Sequence, residues 1–166
     1  MTEPTAVAVV LAVLVGGYLL MWRGWRRRSR AQSDLPPLPP ELPEADVLAG
    51  PVAGVYVGTT TSGDWTDRVV AHTLGRRSHA SVTITAAGVT VDRSPEPALY
   101  VPAATLRAVR IDRAGGGRAV RHPEYLILSW SHGDAVLDTA VRPDHPHDLE
   151  RLRAAGASLL PQGATP

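Results

Sequence analysis

An apolar run near the N-terminus constrains this chain more than any other feature. It covers residues 6–22, and nine of these positions are Val or Leu. As an α-helix rising 1.5 Å per residue, the run would reach roughly 25 Å, close to the roughly 30 Å core of a bilayer. The sequence therefore predicts one N-terminal transmembrane anchor, which we assign to residues 1–24.

The charges on the two sides of this run predict its orientation. Glu3 is the one charged residue before it, and five arginines follow it: Arg23, Arg26, Arg27, Arg28 and Arg30. A cleaved signal peptide has the opposite order and a small-residue cleavage site, and a helix of a soluble domain has a polar face, so both alternatives are disfavoured. Because basic flanks stay in the cytoplasm, we expect a cell-membrane protein with its N-terminus outside and its remainder inside.

The arginine cluster has two interpretations. Each arginine near the surface would gain about 1 kcal/mol from anionic lipid headgroups, which makes the five residues candidate lipid contacts. The alternative is that they only fix the topology, because an inserted protein gains little from further attraction to the surface. The sequence favours this second interpretation.

Small residues recur every four positions in the apolar run, at Ala8, Ala12 and Gly16. This spacing places them on one face of a helix, where two backbones can approach closely in lipid. It predicts a weak homodimer through the anchor. The alternative is that alanine and glycine are simply common throughout this chain.

The composition excludes several classes of function. The chain has no cysteine, so disulfides, thiolate nucleophiles and cysteine-ligated metals are excluded. Residues 31–166 carry twelve basic and fifteen acidic side chains, a net charge of −3. A body with this charge lacks the positive field that nucleic-acid binding needs, and no nucleic-acid partner is expected.

A proline-rich stretch at residues 33–44 lies within a predicted linker, residues 25–47. Polyproline II geometry would make it a stiff spacer that holds the following domain up to roughly 35–40 Å from the headgroups. Its Pro-x-x-Pro spacing also fits a proline-motif receptor. The spacer is the favoured interpretation.

Residues 48–160 alternate strand-like runs with turn signals, and residues 161–166 are predicted to be a disordered tail. A helix is expected at residues 65–74, and a C-terminal helix is expected to begin near Pro146 with a capping residue and with Leu149, Leu152 and Ala155 on one face. The predicted strands are residues 52–60, 81–85, 89–93, 99–101, 106–112, 125–130 and 135–141. Seven short strands followed by one helix are the order of a pleckstrin-homology-like (PH-like) barrel.

Five motifs extend this interpretation to a family. They are Tyr-Val-Gly-Thr-Thr (56–60), Gly-Asp-Trp-Thr-Asp-Arg (63–68), Leu-Gly-Arg-Arg (74–77), Gly-Val-Thr-Val-Asp-Arg (88–93) and Ser-Trp-Ser-His-Gly-Asp-Ala-Val-Leu-Asp-Thr (129–139). With them the chain resembles actinobacterial single-pass membrane proteins that carry a cytoplasmic PH-like domain of uncharacterised function. The resemblance implies a mainly β fold in which a helix plugs two nearly orthogonal antiparallel sheets. Ala140-Val141-Arg142 departs from the family's Gly-Phe-Arg, which puts any role of that corner in doubt.

Enzyme signatures are missing from the sequence. It contains no phosphate loop, no His-Glu-x-x-His and no Gly-x-Ser-x-Gly, so a non-enzymatic protein without a cofactor is expected. The three glycines at 115–117 are interpreted as a hairpin loop. His145 and His147 have donor types that a metal could use, but helix capping and exposure explain them better, and no metal site is predicted.

The connection at residues 61–77 holds the candidate site. Trp65, Arg68, Arg76 and Arg77 are the tentative partner or anion contacts, although Trp65 is better explained as packing a helix onto the barrel. Inositol-phosphate binding is disfavoured because the first half of the connection is acidic. The predicted function is a membrane-anchored binding or scaffold module with a protein partner, and the alternative is a sensor of lipid or of an anionic small ligand.

Overall fold

The computed structural model describes residues 11, 13–19, 22 and 35–161. The described residues up to Trp22 are helical, and within the described parts of the chain no helix is long and apolar enough to cross a membrane. The remaining residues of the predicted anchor, Ala8 and Ala12 among them, lie outside the described residues. The five candidate lipid-contact arginines and positions 162–166 of the predicted tail lie outside them as well.

Residues 35–161 belong to one compact unit built on an antiparallel sheet. Seven strands follow the order β4-β3-β2-β1-β9-β8-β5, and β6 and β7 form a separate two-stranded hairpin. All seven predicted strands are confirmed. The strands are β1 Val47–Thr61, β2 Ser78–Thr85, β3 Gly88–Ser94, β4 Leu99–Pro102, β5 Leu106–Asp112, β6 Ala114–Gly115, β7 Arg118–Ala119, β8 Tyr125–His132 and β9 Ala135–Pro143.

Strand β1 joins the two halves of this sheet. Its first part pairs with β2 as far as Tyr56, and its second part pairs with β9 from Gly54 onward. Register shifts interrupt both pairings, and bulges of this kind bend a strand and increase its twist. The two predicted sheets are therefore halves of one continuous hydrogen-bonded sheet that share β1.

The main core lies on the inner face of the sheet and is covered by the C-terminal helix, His147–Ala157. Leu149 and Leu152 are buried and Ala155 packs against the core, so the predicted plugging face is confirmed. The predicted capping is wrong. Pro146 occupies the N-cap position, and no side chain caps the helix.

The connection between β1 and β2 is not the helix predicted at residues 65–74. Only Ala71–Thr73 form a helical turn, of the 3₁₀ type, and His72 within it has a positive φ of 52°. Thr59, near the end of β1, holds the connection in place: its carbonyl accepts from the Val69 amide and its amide donates to the Leu74 carbonyl. The connection thus occupies the edge of β1 that β2 leaves free, and it satisfies backbone groups that would otherwise lack partners.

Part of the predicted spacer lies on the compact unit. Leu35 and Leu38 are partly buried against the main core, and the Pro36 carbonyl accepts a 2.9 Å hydrogen bond from His132 Nε2. For residues 35–44 the prediction of a spacer that projects away from the domain is therefore wrong. The leucines between the prolines supply apolar surface that is more stable against the core than in water.

A second, smaller apolar cluster lies on the outer face of the sheet. Val57, Tyr125, Ile127 and Ala140 form it, and the hairpin of β6 and β7 packs beside it. A Cβ on Gly115 would lie 2.5 Å from Ile127 Cδ1, so glycine permits this close approach. The prediction that the triple glycine forms a hairpin loop is confirmed.

Candidate functional site

A chain of buried polar groups crosses the inside of the barrel. Trp130 Nε1 donates to Thr139 Oγ1 at 3.0 Å, the hydroxyls of Thr139 and Thr59 are 2.8 Å apart, and those of Thr59 and Tyr56 are 2.7 Å apart. The Tyr56 hydroxyl donates to the Leu74 carbonyl. An indole N–H only donates and a carbonyl only accepts, so every hydroxyl in the chain must donate in the same direction. Burial raises the pKa of Tyr56 to about 12, so this hydroxyl stays protonated at neutral pH.

A buried arginine lies beside this chain of groups. The Arg93 guanidinium is 4.8 Å from the Tyr56 ring centroid, and its Nε donates to the Pro97 carbonyl at 2.8 Å. The Tyr56 ring and the Pro97 carbonyl offset part of the free-energy cost of burying the positive charge. Arg93 was not among the predicted site residues, although the alternation of Val89, Val91 and Arg93 along β3 indicates that all three face inward.

Trp65 and Arg68, two of the predicted contacts, both meet Gly117. The Gly117 amide donates to the Trp65 carbonyl at 2.8 Å, and a Cβ on Gly117 would lie 2.7 Å from Arg68 Cδ. Arg68 Nη2 donates to the Val57 carbonyl at 2.8 Å. The guanidinium of Arg68 is thus held against β1, whereas the Trp65 side chain is 45% exposed and does not pack a helix onto the barrel.

Arg76 and Arg77 have different surroundings. Arg76 Nη1 lies 3.1 Å from Glu96 Oε1, and this hydrogen bond lowers the pKa of the Glu96 carboxyl. Arg77 lines a shallow cleft of about 330 Å³ together with His79 and Ser94. The four predicted residues therefore do not converge on one pocket: Trp65 and Arg68 meet at Gly117, Arg76 pairs with Glu96, and Arg77 lines this cleft.

A larger groove lies on the outer face of β2, β3 and β4. Its floor contains a row of hydroxyl groups, because Thr90 is paired with Thr83 on one side and with Tyr100 on the other. Its volume is about 470 Å³, and residues 41–45 form one wall. Burial raises the pKa of Tyr100, and the carboxylates of Glu41 and Asp92 raise it further. We call this feature the outer groove.

A comparison with known families gives a match that spans the sheet and nearly all of the C-terminal helix. A family model described as Bacterial PH domain-like matches residues 32–156. The chain belongs to this family. A comparison with curated proteins finds no match. The family match includes residues 35–44, the part of the predicted spacer that packs on the PH-like domain.

In this PH-like domain, no group of three or more His, Cys, Asp or Glu among the described residues could hold a metal ion. The rings of His145 and His147 are stacked with centroids 5.4 Å apart. Asp148 accepts a hydrogen bond from Arg151 and lies near His147. These groups are therefore engaged with one another at the start of the C-terminal helix.

The outer groove of the PH-like domain was missed by the sequence analysis. The floor of the groove could have been predicted, since alternation in β2 and β3 turns Thr83 and Thr90 to the face opposite the core. The wall could not, because residues 41–45 were assigned to a spacer that does not contact the domain. A groove that needs this segment against the sheet cannot be found while the segment is treated as detached.

Proposed function

We propose that this chain is a membrane-anchored PH-like binding module that holds a protein partner near the cytoplasmic face of the cell membrane. The observation that carries the proposal is the filled interior of the barrel. Trp130, Tyr56 and Leu128 are fully buried there, and the two clefts described above lie on the surface of the domain, where sheet faces and loops are open to a ligand. A PH-like barrel frequently hosts peptide and protein binding, and this fold analogy favours a non-enzymatic scaffold.

The anchoring part of the proposal rests on the N-terminal residues. Val13 and Leu14 are helical, and their side chains are 68% and 63% exposed. Apolar surface of this kind is favourable in lipid and unfavourable in water, and the arginines that follow the run favour a cytoplasmic domain. We propose an anchor at residues 1–24, a tail at 161–166 and a linker confined to positions 25–34, because residues 35–44 pack on the PH-like domain.

Reporter fusions test the proposed topology. A reporter that works only in the cytoplasm, fused after Pro166, should be active, and one that works only outside should be silent. The opposite pattern would overturn the orientation. Release of a shortened soluble protein would overturn the anchor.

The alternative function is a sensor of lipid or of an anionic small ligand, with Arg68, Arg76 and Arg77 as its contacts. The 72% exposure of the Arg76 side chain and the place of Arg77 in a cleft beside His79 favour it. The bond from Arg68 Nη2 to the Val57 carbonyl disfavours it, because it holds the guanidinium against β1.

Photo-crosslinking in native membranes separates the two functions. A photoreactive amino acid is placed at Trp65, at Arg77 or at Tyr100 on the floor of the outer groove of the full chain, with the exposed Glu150 as the control position. A discrete protein adduct at any of the three positions and not at Glu150 supports the scaffold. Lipid adducts alone support the sensor, and the scaffold proposal fails if no protein adduct forms at any of the three positions.

A further inference from the structure

Five polar side chains of the outer groove have no hydrogen-bond or ion-pair partner among the described residues, whereas the Thr85 hydroxyl donates to the Gly88 carbonyl. Glu41, Glu44 and Asp92 form no ion pair with any described residue. The hydroxyls of Thr90 and Tyr100 likewise form no hydrogen bond within the described ranges, 11–22 with its gaps and 35–161. The three carboxylates are exposed and Thr90 and Tyr100 are half-buried, so a ligand would replace water at the carboxylates and could give the two hydroxyls partners.

The charge of the groove indicates what that ligand is. Three carboxylates surround it, and of the described residues that line it none is basic. Phosphate groups of lipids or nucleic acids would meet like charge there. A guanidinium would instead meet carboxylates that can accept two parallel bonds, hydroxyls that can accept further bonds, and the ring of Tyr100 on which its plane can stack.

The size of the groove limits the ligand to a short segment. A volume of about 470 Å³ is in the range of pockets that hold small ligands. It accommodates a few side chains rather than a folded domain. The wall at residues 41–45 and the floor at Thr83 and Thr90 would contact such a segment from two sides.

We propose that the outer groove binds a short arginine-containing segment of a protein partner, with Glu41, Glu44 and Asp92 as the groups that contact its guanidinium groups. This inference rests on the proposed scaffold function, and it names the chemistry by which the partner is recognised. It assigns to the partner segment a positive charge, whereas a ligand of Arg76 and Arg77 would be negatively charged.

The test uses the full chain in nanodiscs of phosphatidylcholine, which give a cationic peptide no anionic lipid to bind. The probe is a fluorescent peptide with three arginines separated by glycines, and its partner probe has citrulline at the same positions. Citrulline keeps the shape of arginine and removes the charge. Binding is measured by fluorescence anisotropy, and we expect the arginine probe to bind at least about ten-fold more tightly, the loss expected from one charge-assisted contact.

Two matched triple variants assign this binding to the groove. E41Q/E44Q/D92N removes the three groove carboxylates and should weaken binding at least about ten-fold. E124Q/D134N/D144N removes three carboxylates elsewhere and should change binding less than about two-fold, because exposed distant charges are screened by salt. Circular dichroism checks that both variants are folded. Equal losses in the two variants, or no loss in the first, would overturn the proposal.

A further variant tests whether the chain's own arginines are the occupant. Glutamine replaces Arg26, Arg27 and Arg28 in the otherwise unchanged chain. If this replacement strengthens probe binding, and does so only when the groove carboxylates are present, the groove is occupied from within and the assignment to a partner is overturned. If it leaves binding unchanged, the assignment to a partner is supported.

The groove and the scaffold function can fail separately. A protein adduct at Tyr100, Trp65 or Arg77 that forms equally with E41Q/E44Q/D92N would overturn the groove carboxylates as the recognition site and leave the scaffold function in place. Specific probe binding without any protein adduct would overturn the scaffold function instead. Loss of the adduct in the groove variant, but not in the control variant, supports both.

Discussion

Trp130 on β8 donates a 3.0 Å hydrogen bond from its indole Nε1 to Oγ1 of Thr139 on β9. Thr139 in turn contacts Thr59 on β1, so one hydroxyl connects three neighbouring strands. The chain of donors ends at Leu74 in the connection that follows β1. The same bonds thus hold the sheet and its longest connection in one arrangement.

Replacing Thr139 with valine should destabilise the domain. Valine keeps the volume but leaves the Trp130 Nε1–H buried without an acceptor and Thr59 without its donor. We expect the free energy of unfolding of the full chain in neutral detergent to fall by about 2–3 kcal/mol. Urea or guanidinium titration followed by tryptophan fluorescence measures it.

Thr60 provides the control for this substitution. It is as buried as Thr139, but its Oγ1 has no hydrogen-bond partner among the residues that the structure describes. Thr60→Val removes a buried unsatisfied hydroxyl and should be neutral or stabilising by up to about 1 kcal/mol. Equal destabilisation by the two substitutions would show that shape, and not hydrogen bonding, determines the effect.

Tyr56 should make the stability of the domain depend on pH in the alkaline range. Its pKa rises from 10.0 in the unfolded chain to about 12 in the folded one. The unfolded state therefore loses the proton first, and a contribution of about 3 kcal/mol, fully present below pH 10, is lost as the pH rises through 12. Unfolding titrations between pH 8 and pH 12 measure this slope.

The Tyr56→Phe variant should be less stable at pH 8 and should lose most of the alkaline slope. Tyr100→Phe is the matched control, because its hydroxyl is only half-buried and has no partner in the described chain. This control should retain most of the slope. A slope that is the same in wild type and Tyr56→Phe would show that Tyr56 does not titrate as argued.

Strands β2, β3 and β4 could be predicted from the sequence because each one carries its own alternation, whereas β8 could be predicted as a continuous apolar run bounded by turn residues. Val89 and Val91 on β3, like Leu99 and Val101 on β4, bury every second position, and that pattern is visible without any knowledge of the partner strand. The connection at residues 65–74 could not be predicted in this way. Its conformation is set by backbone bonds to Thr59, and a contact between backbone groups leaves no periodic signal in the side chains.

The candidate site was predicted less well than the fold. Trp65, Arg68, Arg76 and Arg77 were selected for their residue types within one connection, but closeness in sequence did not bring them into one pocket. The outer groove combines residues 41–45 with three strands that follow much later. Only the tertiary arrangement brings such distant segments together, so composition and spacing could not reveal it.

Leu152 and Leu149 should contribute much of the stability that the C-terminal helix gives the barrel. Replacing Leu152 with alanine leaves a cavity in the main core and should cost about 2–4 kcal/mol, and Leu149→Ala should cost somewhat less because its side chain is not fully enclosed. Thermal unfolding measures both. Glu150→Ala on the exposed face is the control, and a similar loss there would contradict the plugging role.

The anchor is expected to self-associate weakly through its small residues. Isoleucine at both Ala12 and Gly16 would separate the two backbones and remove their close packing. A membrane-helix dimerisation reporter should then lose its signal, whereas isoleucine at Val13 and Val15 should preserve it. An unchanged signal in the first variant would make the anchor a monomeric tether.

The segment before β1 should be held on the domain mainly by Leu35 and Leu38. Each leucine is partly buried, and each contributes about 1 kcal/mol through the area it removes from water. Replacing both with serine should favour local detachment, and a glutamate-specific protease should cleave after Glu41 and Glu44 at least about ten-fold faster. Leu48→Ser, at an exposed leucine, is the control.

Detachment of this segment would also remove one wall of the outer groove. The leucine-to-serine double variant should therefore bind the arginine probe more weakly, although it retains all three groove carboxylates. Faster cleavage together with unchanged probe binding would show that Glu41 and Glu44 are not needed in their observed positions. Weaker binding that follows the loss of protection would tie recognition to the docked segment, because the charges would be present but no longer held against Thr83, Thr90 and Tyr100.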